Sequence, residues 1–137
     1  MTLSQVNAVA GILSGVKINK IADKAVKAAL VKEYIQLRKF VKDADEERRE
    51  IVDKFQADWR EELAPVEAFR KAGKPVVGHE AYLDAEKDAN KAIYDLFSRE
   101  VDIDITPVKM DAFIGSCEGD ELTLEQVAVL QECGIIE

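Results

Sequence analysis

NKIADKAVKAALVKEYIQLRKFVKDADEERREIVDKFQADWREEL, residues 19–63, contains neither Pro nor Gly and is rich in Ala, Lys, Glu, Arg and Leu, all good helix formers. Within it Leu30, Tyr34, Leu37, Val41, Ala44, Arg48, Ile51 and Phe55 follow one another at alternating intervals of four and three. This is a heptad seam with a single charged interruption, at Arg48. One unbroken helix over 19–63 would be about 65 Å long, which exceeds the width of a compact domain of this chain length. Part of it must pack on another helix or on a second copy. Residues 43–50 carry both signs densely and read as its solvated middle.

Downstream, Pro65 removes the amide that would bond the Glu61 carbonyl, so a break belongs there. Gly73-Lys74-Pro75-Val76-Val77-Gly78 is a turn, punctuated by Gly and Pro. A second helix follows over about 80–99, with Tyr82, Ala85, Ala89, Ala92 and Leu96 on its seam and Ile93 and Phe97 widening it. Three seam alanines allow close approach to a partner helix. Together the two patterns predict a long antiparallel helical hairpin over 19–99.

Upstream, Thr2 and Gln5 have the spacing of a capping box, and Leu3, Val6, Val9, Ile12 and Leu13 share one helical face. Ser14-Gly15 ends that helix, and Val16-Lys17-Ile18 alternates like a short strand. At the other end, Val101-Asp102-Ile103-Asp104-Ile105 alternates strictly, the clearest strand signal in the chain, with Pro107 at its end. A lone strand does not persist, and 16–18 is the one internal partner the pattern offers; that pairing would set Lys17 beside Asp102 and Asp104. A Gly-containing loop then leads to a last helix over 122–134, capped by Thr123 and Gln126. The expected fold class is mainly α: a long hairpin, short flanking helices and a small two-stranded β element. At 137 residues it reads as one domain, with parts 1–18, 19–99 and 100–137.

Charge is unevenly spread. The chain carries a formal −8, yet residues 100–137 hold ten acids and one base, Lys109. Lys17, Lys20, Lys24 and Lys27 form a basic stripe near the start, without Arg or aromatic interleaving, which argues against nucleic acid as a partner. Charged residues make up 34% of the chain, against a norm of about 25%, and no apolar run is long enough to span a bilayer. Cys117 and Cys133 are too few and too widely spaced for a disulfide framework, and they match a reducing cytoplasm.

Chemistry is sparse. Asp102 and Asp104 share one strand face, but no His or Ser nucleophile accompanies them, and the polar face of a half-buried strand is the better reading. The acids at 43–47 lack the glycine of a calcium loop. The seven glycines form no phosphate-binding pattern, and one His without C-x-x-C cannot build a zinc site. His79 reads as a surface residue. No catalytic residue, cofactor or metal is expected. Two apolar groups remain as candidate protein-interaction residues: Phe55, Trp59 and Leu63 on the long helix, and Val101, Ile103 and Ile105 on the strand.

The order of Thr2-Leu3-x-Gln5, the long charged helix, Gly73-Lys74-Pro75-Val76-Val77, Glu100-Val101-Asp102-Ile103-Asp104 and Leu122-Thr123-Leu124-Glu125-Gln126 resembles a group of small, uncharacterised proteins of tailed bacteriophages and prophages. The resemblance implies a phage or prophage origin and brings no functional residues with it. The expectation is a non-enzymatic structural or protein-interaction protein that self-associates or binds a protein partner. The alternative is a small acidic regulator that masks a basic surface.

Overall fold

The computed structural model describes residues 1–17, 21–116 and 122–137. It is mainly helical, with six helices among the described residues: α1 (Leu3–Ser14), α2 (Lys24–Asp58), α3 (Arg60–Lys71), α4 (Glu80–Phe97), α5 (Met110–Ser116) and α6 (Leu124–Glu132). The chain divides into two units, Met1–Asp43 with Ser98–Glu137, and Ala44–Phe97. α2 gives its first part to one and its second part to the other.

In the first unit the buried side of α1 (Val6, Val9, Leu13) meets the buried side of α2 (Val26, Leu30, Leu37), together with Phe113 of α5 and Leu130 of α6. Both expected capping boxes are present. The Thr2 hydroxyl accepts from Gln5 N–H and the Gln5 side chain accepts from Thr2 N–H; Thr123 and Gln126 do the same for α6. α2 starts at Lys24 because Asp23 caps it, its Oδ1 accepting from Ala25 N–H at 2.9 Å and Val26 N–H at 3.1 Å. α6 ends in a Schellman motif: Gly134 N–H donates to the Gln131 carbonyl and Ile135 N–H to that of Leu130. Gly134 takes φ +77° there, and the reversal drives Ile135 and Ile136 into the core, where both are buried.

In the second unit, α2 runs to Asp58 and breaks at Trp59, six residues before the expected site. Trp59 N–H still closes α2 on the Phe55 carbonyl, whereas Glu62 N–H bonds the Trp59 carbonyl three residues back. Pro65 lies inside α3. The bond it forfeits is to the Glu61 carbonyl, now in the first turn of a new helix, and the break sits instead at Trp59, whose ring meets Tyr82 edge-on. α3 closes with a second Schellman motif, Gly73 N–H to the Arg70 carbonyl and Lys74 N–H to that of Phe69, with Gly73 at φ +66°. On α4, Tyr82 and Leu96 are buried as the seam requires, but Ala92 is exposed.

The expected two-stranded element is not found among the described residues, which form only isolated bridges, Thr2 with Glu100 (antiparallel) and Val108 with Ile136 (parallel). Val16 is part of the turn that closes α1, its N–H bonded to the Leu13 carbonyl; Ile18 lies outside the described residues. The expected loop after Pro107 contains a helix, α5. Cys117 and the rest of 117–121, part of the expected Gly-containing loop, lie outside the described residues.

Two glycines should respond oppositely to alanine. A Cβ at Gly134 or at Gly11 meets nothing within 4 Å, so backbone conformation decides. Gly134→Ala should cost about 1–2 kcal/mol for the left-handed backbone, and Gly11→Ala, inside α1, should gain about 0.5–1 kcal/mol. Urea denaturation of the two variants checks both signs.

Candidate functional site

The segment from Arg99 to Met110 binds the first unit together without belonging to a sheet. Its apolar residues alternate as the sequence requires: Val101, Ile103 and Ile105 are half-buried against the core, and Asp102 and Asp104 are exposed. Its backbone polar groups find partners from three sources. At the start, Leu3 N–H donates to the Arg99 carbonyl at 3.0 Å and Val101 N–H to the Met1 carbonyl at 2.9 Å. In the middle, the Gln36 side chain of α2 replaces a neighbouring strand: its Nε2 donates to the Asp104 carbonyl at 3.0 Å and its Oε1 accepts from Asp104 N–H at 3.2 Å. A carboxamide carries the same donor and acceptor as a peptide group, so one side chain satisfies both. At the end, Val108 N–H donates to the Ile135 carbonyl, Glu137 N–H to the Val108 carbonyl and Met110 N–H to the Glu137 carbonyl, at 2.8–2.9 Å. Pro107 has no N–H to place.

Glu33, beside the seam one turn before Leu37, completes this clamp. It is fully buried, its Oε1 accepts from Thr106 N–H at 2.9 Å, and its Oε2 meets no hydrogen-bond partner. Burial raises its pKa from 4.5 to about 7; the Thr106 N–H and the nearby Lys32 ammonium pull the other way. Nothing in the sequence marks Glu33, since it reads as one more charge on a charged helix. Lys32 itself lies 3.5 Å from Asp104 Oδ2, so α2 supplies a cation beside the acidic segment.

In the second unit Phe55 and Trp59 face Tyr82, with ring centroids 5.2 Å and 6.0 Å apart, and Leu63 is half-buried one turn further on. Tyr82 is almost fully buried, and that burial raises its phenol pKa. These aromatic residues pack within their own unit. Around them Arg70 grips Glu86 with two hydrogen bonds, 2.9 Å and 2.6 Å, which hold the Glu86 carboxyl below its usual range. His79 is not a plain surface residue: its Nδ1 lies 2.9 Å from Glu62 Oε2, and its ring meets Phe69 edge-on.

Among the described residues no group of three His, Cys, Asp or Glu side chains could hold a metal ion, and no helix is long and apolar enough to cross a membrane. Burial, then Glu132, raises the Cys133 thiol pKa, the reverse of what activates a thiolate. A cavity of about 280 Å³ lies beside α2, lined mainly by apolar side chains such as Leu13, Ile21, Leu30, Val31 and Ile35. Comparison with protein-family models, curated proteins and solved structures finds no match.

Two outcomes follow. A carboxyl whose pKa is raised by folding favours the native state most when protonated. Its contribution is complete below the ordinary 4.5 and lost as pH rises through about 7, worth up to about 3 kcal/mol. Glu33→Gln should therefore be more stable than the parent at about pH 8 and lose most of that advantage at about pH 5, as read from urea midpoints. Tyr82→Ala should cost on the order of 3 kcal/mol and shift the emission of Trp59, the sole Trp, to the red; an unchanged spectrum would mean that Trp59 does not depend on Tyr82.

Proposed function

We propose that this chain is a non-enzymatic structural or protein-interaction protein of phage or prophage origin, acting in assembly or as an accessory protein. The origin is supported by the ordered motifs quoted above. The interaction role is supported chiefly by one observation. The outward side of α2 in the first unit stays uncommitted while the apolar side chains at 55–63 and 101–105 are engaged internally. On that side Ile35 is 64% exposed, and Arg38 and Lys39, one turn on, form no ion pair among the described residues. We also read the second part of α2 with α4 as the antiparallel hairpin the seams imply, with Phe55, Trp59 and Tyr82 packing near one end.

The acidic-regulator alternative is favoured by Asp102, Asp111, Glu125 and Glu132, exposed carboxylates without an ion-pair partner among the described residues.

Affinity capture from expressing cells, with the parent chain and with Ile35→Ser/Arg38→Gln, tests the interaction role. The expected result is a stoichiometric bound protein, either another chain or more of the same one, that the variant fails to hold. A parent chain that captures nothing and stays monomeric would contradict the role.

A further inference from the structure

We propose that the outward face of α2 between Lys24 and Lys42 docks the acidic face of α5 and α6 on a second copy, so that copies join head to tail. This rests on the interaction role above and names its partner.

The basic face is well defined. Residues 24–42 hold six bases and one acid, and the acid is Glu33, buried on the core side. At about 100° per residue, Lys24, Arg38, Lys39 and Lys42 fall around the side opposite Val26, Leu30 and Leu37, with Lys27 on its flank. None of these five forms an ion pair among the described residues; Lys32, at the margin, is held by Asp104. Val31 and Ile35 run along the middle of the face and border the apolar cavity of about 280 Å³. The face therefore has a cationic rim and an apolar centre, the layout of an interface patch.

The complementary surface belongs to the same chain. Asp111 on α5 and Glu125 and Glu132 on α6 are exposed and also lack ion-pair partners. Next to Glu125 the chain exposes Leu124, 91% accessible at the start of α6, and three residues after Asp111 it exposes Ile114, 49% accessible on α5. Exposed apolar side chains on helices that carry carboxylates match an apolar hollow on a helix that carries cations. The two sets do not neutralise each other within one copy, because α2, α5 and α6 all pack their buried sides into a shared core. Each copy carries −8 overall, but at about 0.1 M salt charges more than about 10 Å apart are screened, whereas contact pairs are not. Because the two faces differ, the contact does not close on itself, and copies add end to end.

Sedimentation velocity on the full chain tests this across a roughly hundredfold concentration range. In about 0.1 M salt the average mass should climb past that of a dimer, and about 1 M salt should return it towards the monomer. Ile35→Ser/Arg38→Gln/Lys42→Gln and Leu124→Ser/Glu125→Gln/Glu132→Gln should each be monomeric, with parent-like circular dichroism. Mixed, they should form a one-to-one dimer and nothing larger, because each retains one intact face. A parent chain that stays monomeric, a closed dimer, or a mixture of variants that does not associate overturns the proposal. So does a monomeric parent that instead binds duplex DNA or phosphatidylserine vesicles through Arg38 and Lys42. If a different protein is captured while the parent stays monomeric, the interaction role stands and head-to-tail docking fails.

Discussion

The first unit depends on satisfying the backbone of one extended segment. Residues 99–110 must bury Val101, Ile103 and Ile105 while every buried N–H and C=O beside them finds a partner. A sheet would meet that requirement with one neighbouring strand. Here three unrelated parts of the molecule supply partners at Arg99, Val101, Asp104, Thr106, Val108 and Met110: the residues at 1–3, the side chains of Gln36 and Glu33 on α2, and the residues at 135–137. The segment thus ties both ends of the described chain to its longest helix.

The arrangement explains why a carboxyl group is buried. Glu33 is buried beside the seam, where an apolar residue would pack well, but the N–H of Thr106 would then lose its acceptor. The chain keeps the hydrogen bond and pays with an orphaned second oxygen and a raised pKa. The same requirement explains the Schellman motif after α6. Only a chain reversal at Gly134 presents the Ile135 carbonyl to Val108 N–H and carries Ile136 into the core.

Local features were legible in the sequence because their causes are local. The capping boxes at Thr2 and Thr123 and the turn at Gly73 depend on residues within one helical turn. The alternating exposure of 101–105 also followed the pattern. What failed depended on distant partners. Pro65 marks a weak point, but the break lies at Trp59, which packs on Tyr82; that contact spans more than twenty positions and leaves no periodic trace. Alternation at 101–105 fixed which residues are buried, not what pairs with the backbone, and a Gln on a helix proved the partner. α5 is seven residues long, too short for a periodic signal to stand out beside Gly115. The candidate interaction residues Phe55, Trp59, Val101 and Ile103 pack against side chains of their own units.

Native-state hydrogen exchange of individual amides tests the clamp most directly. In the parent chain the amides of Val101, Asp104, Thr106 and Val108 should all be protected. Gln36→Ala should speed exchange at Asp104 by about tenfold or more, the equivalent of one lost hydrogen bond, with a smaller effect at Val101 and Val108, whose acceptors are backbone carbonyls elsewhere. An Asp104 amide that exchanges freely in the parent, or at the same rate in the variant, would contradict the claim that helix side chains take the place of a strand.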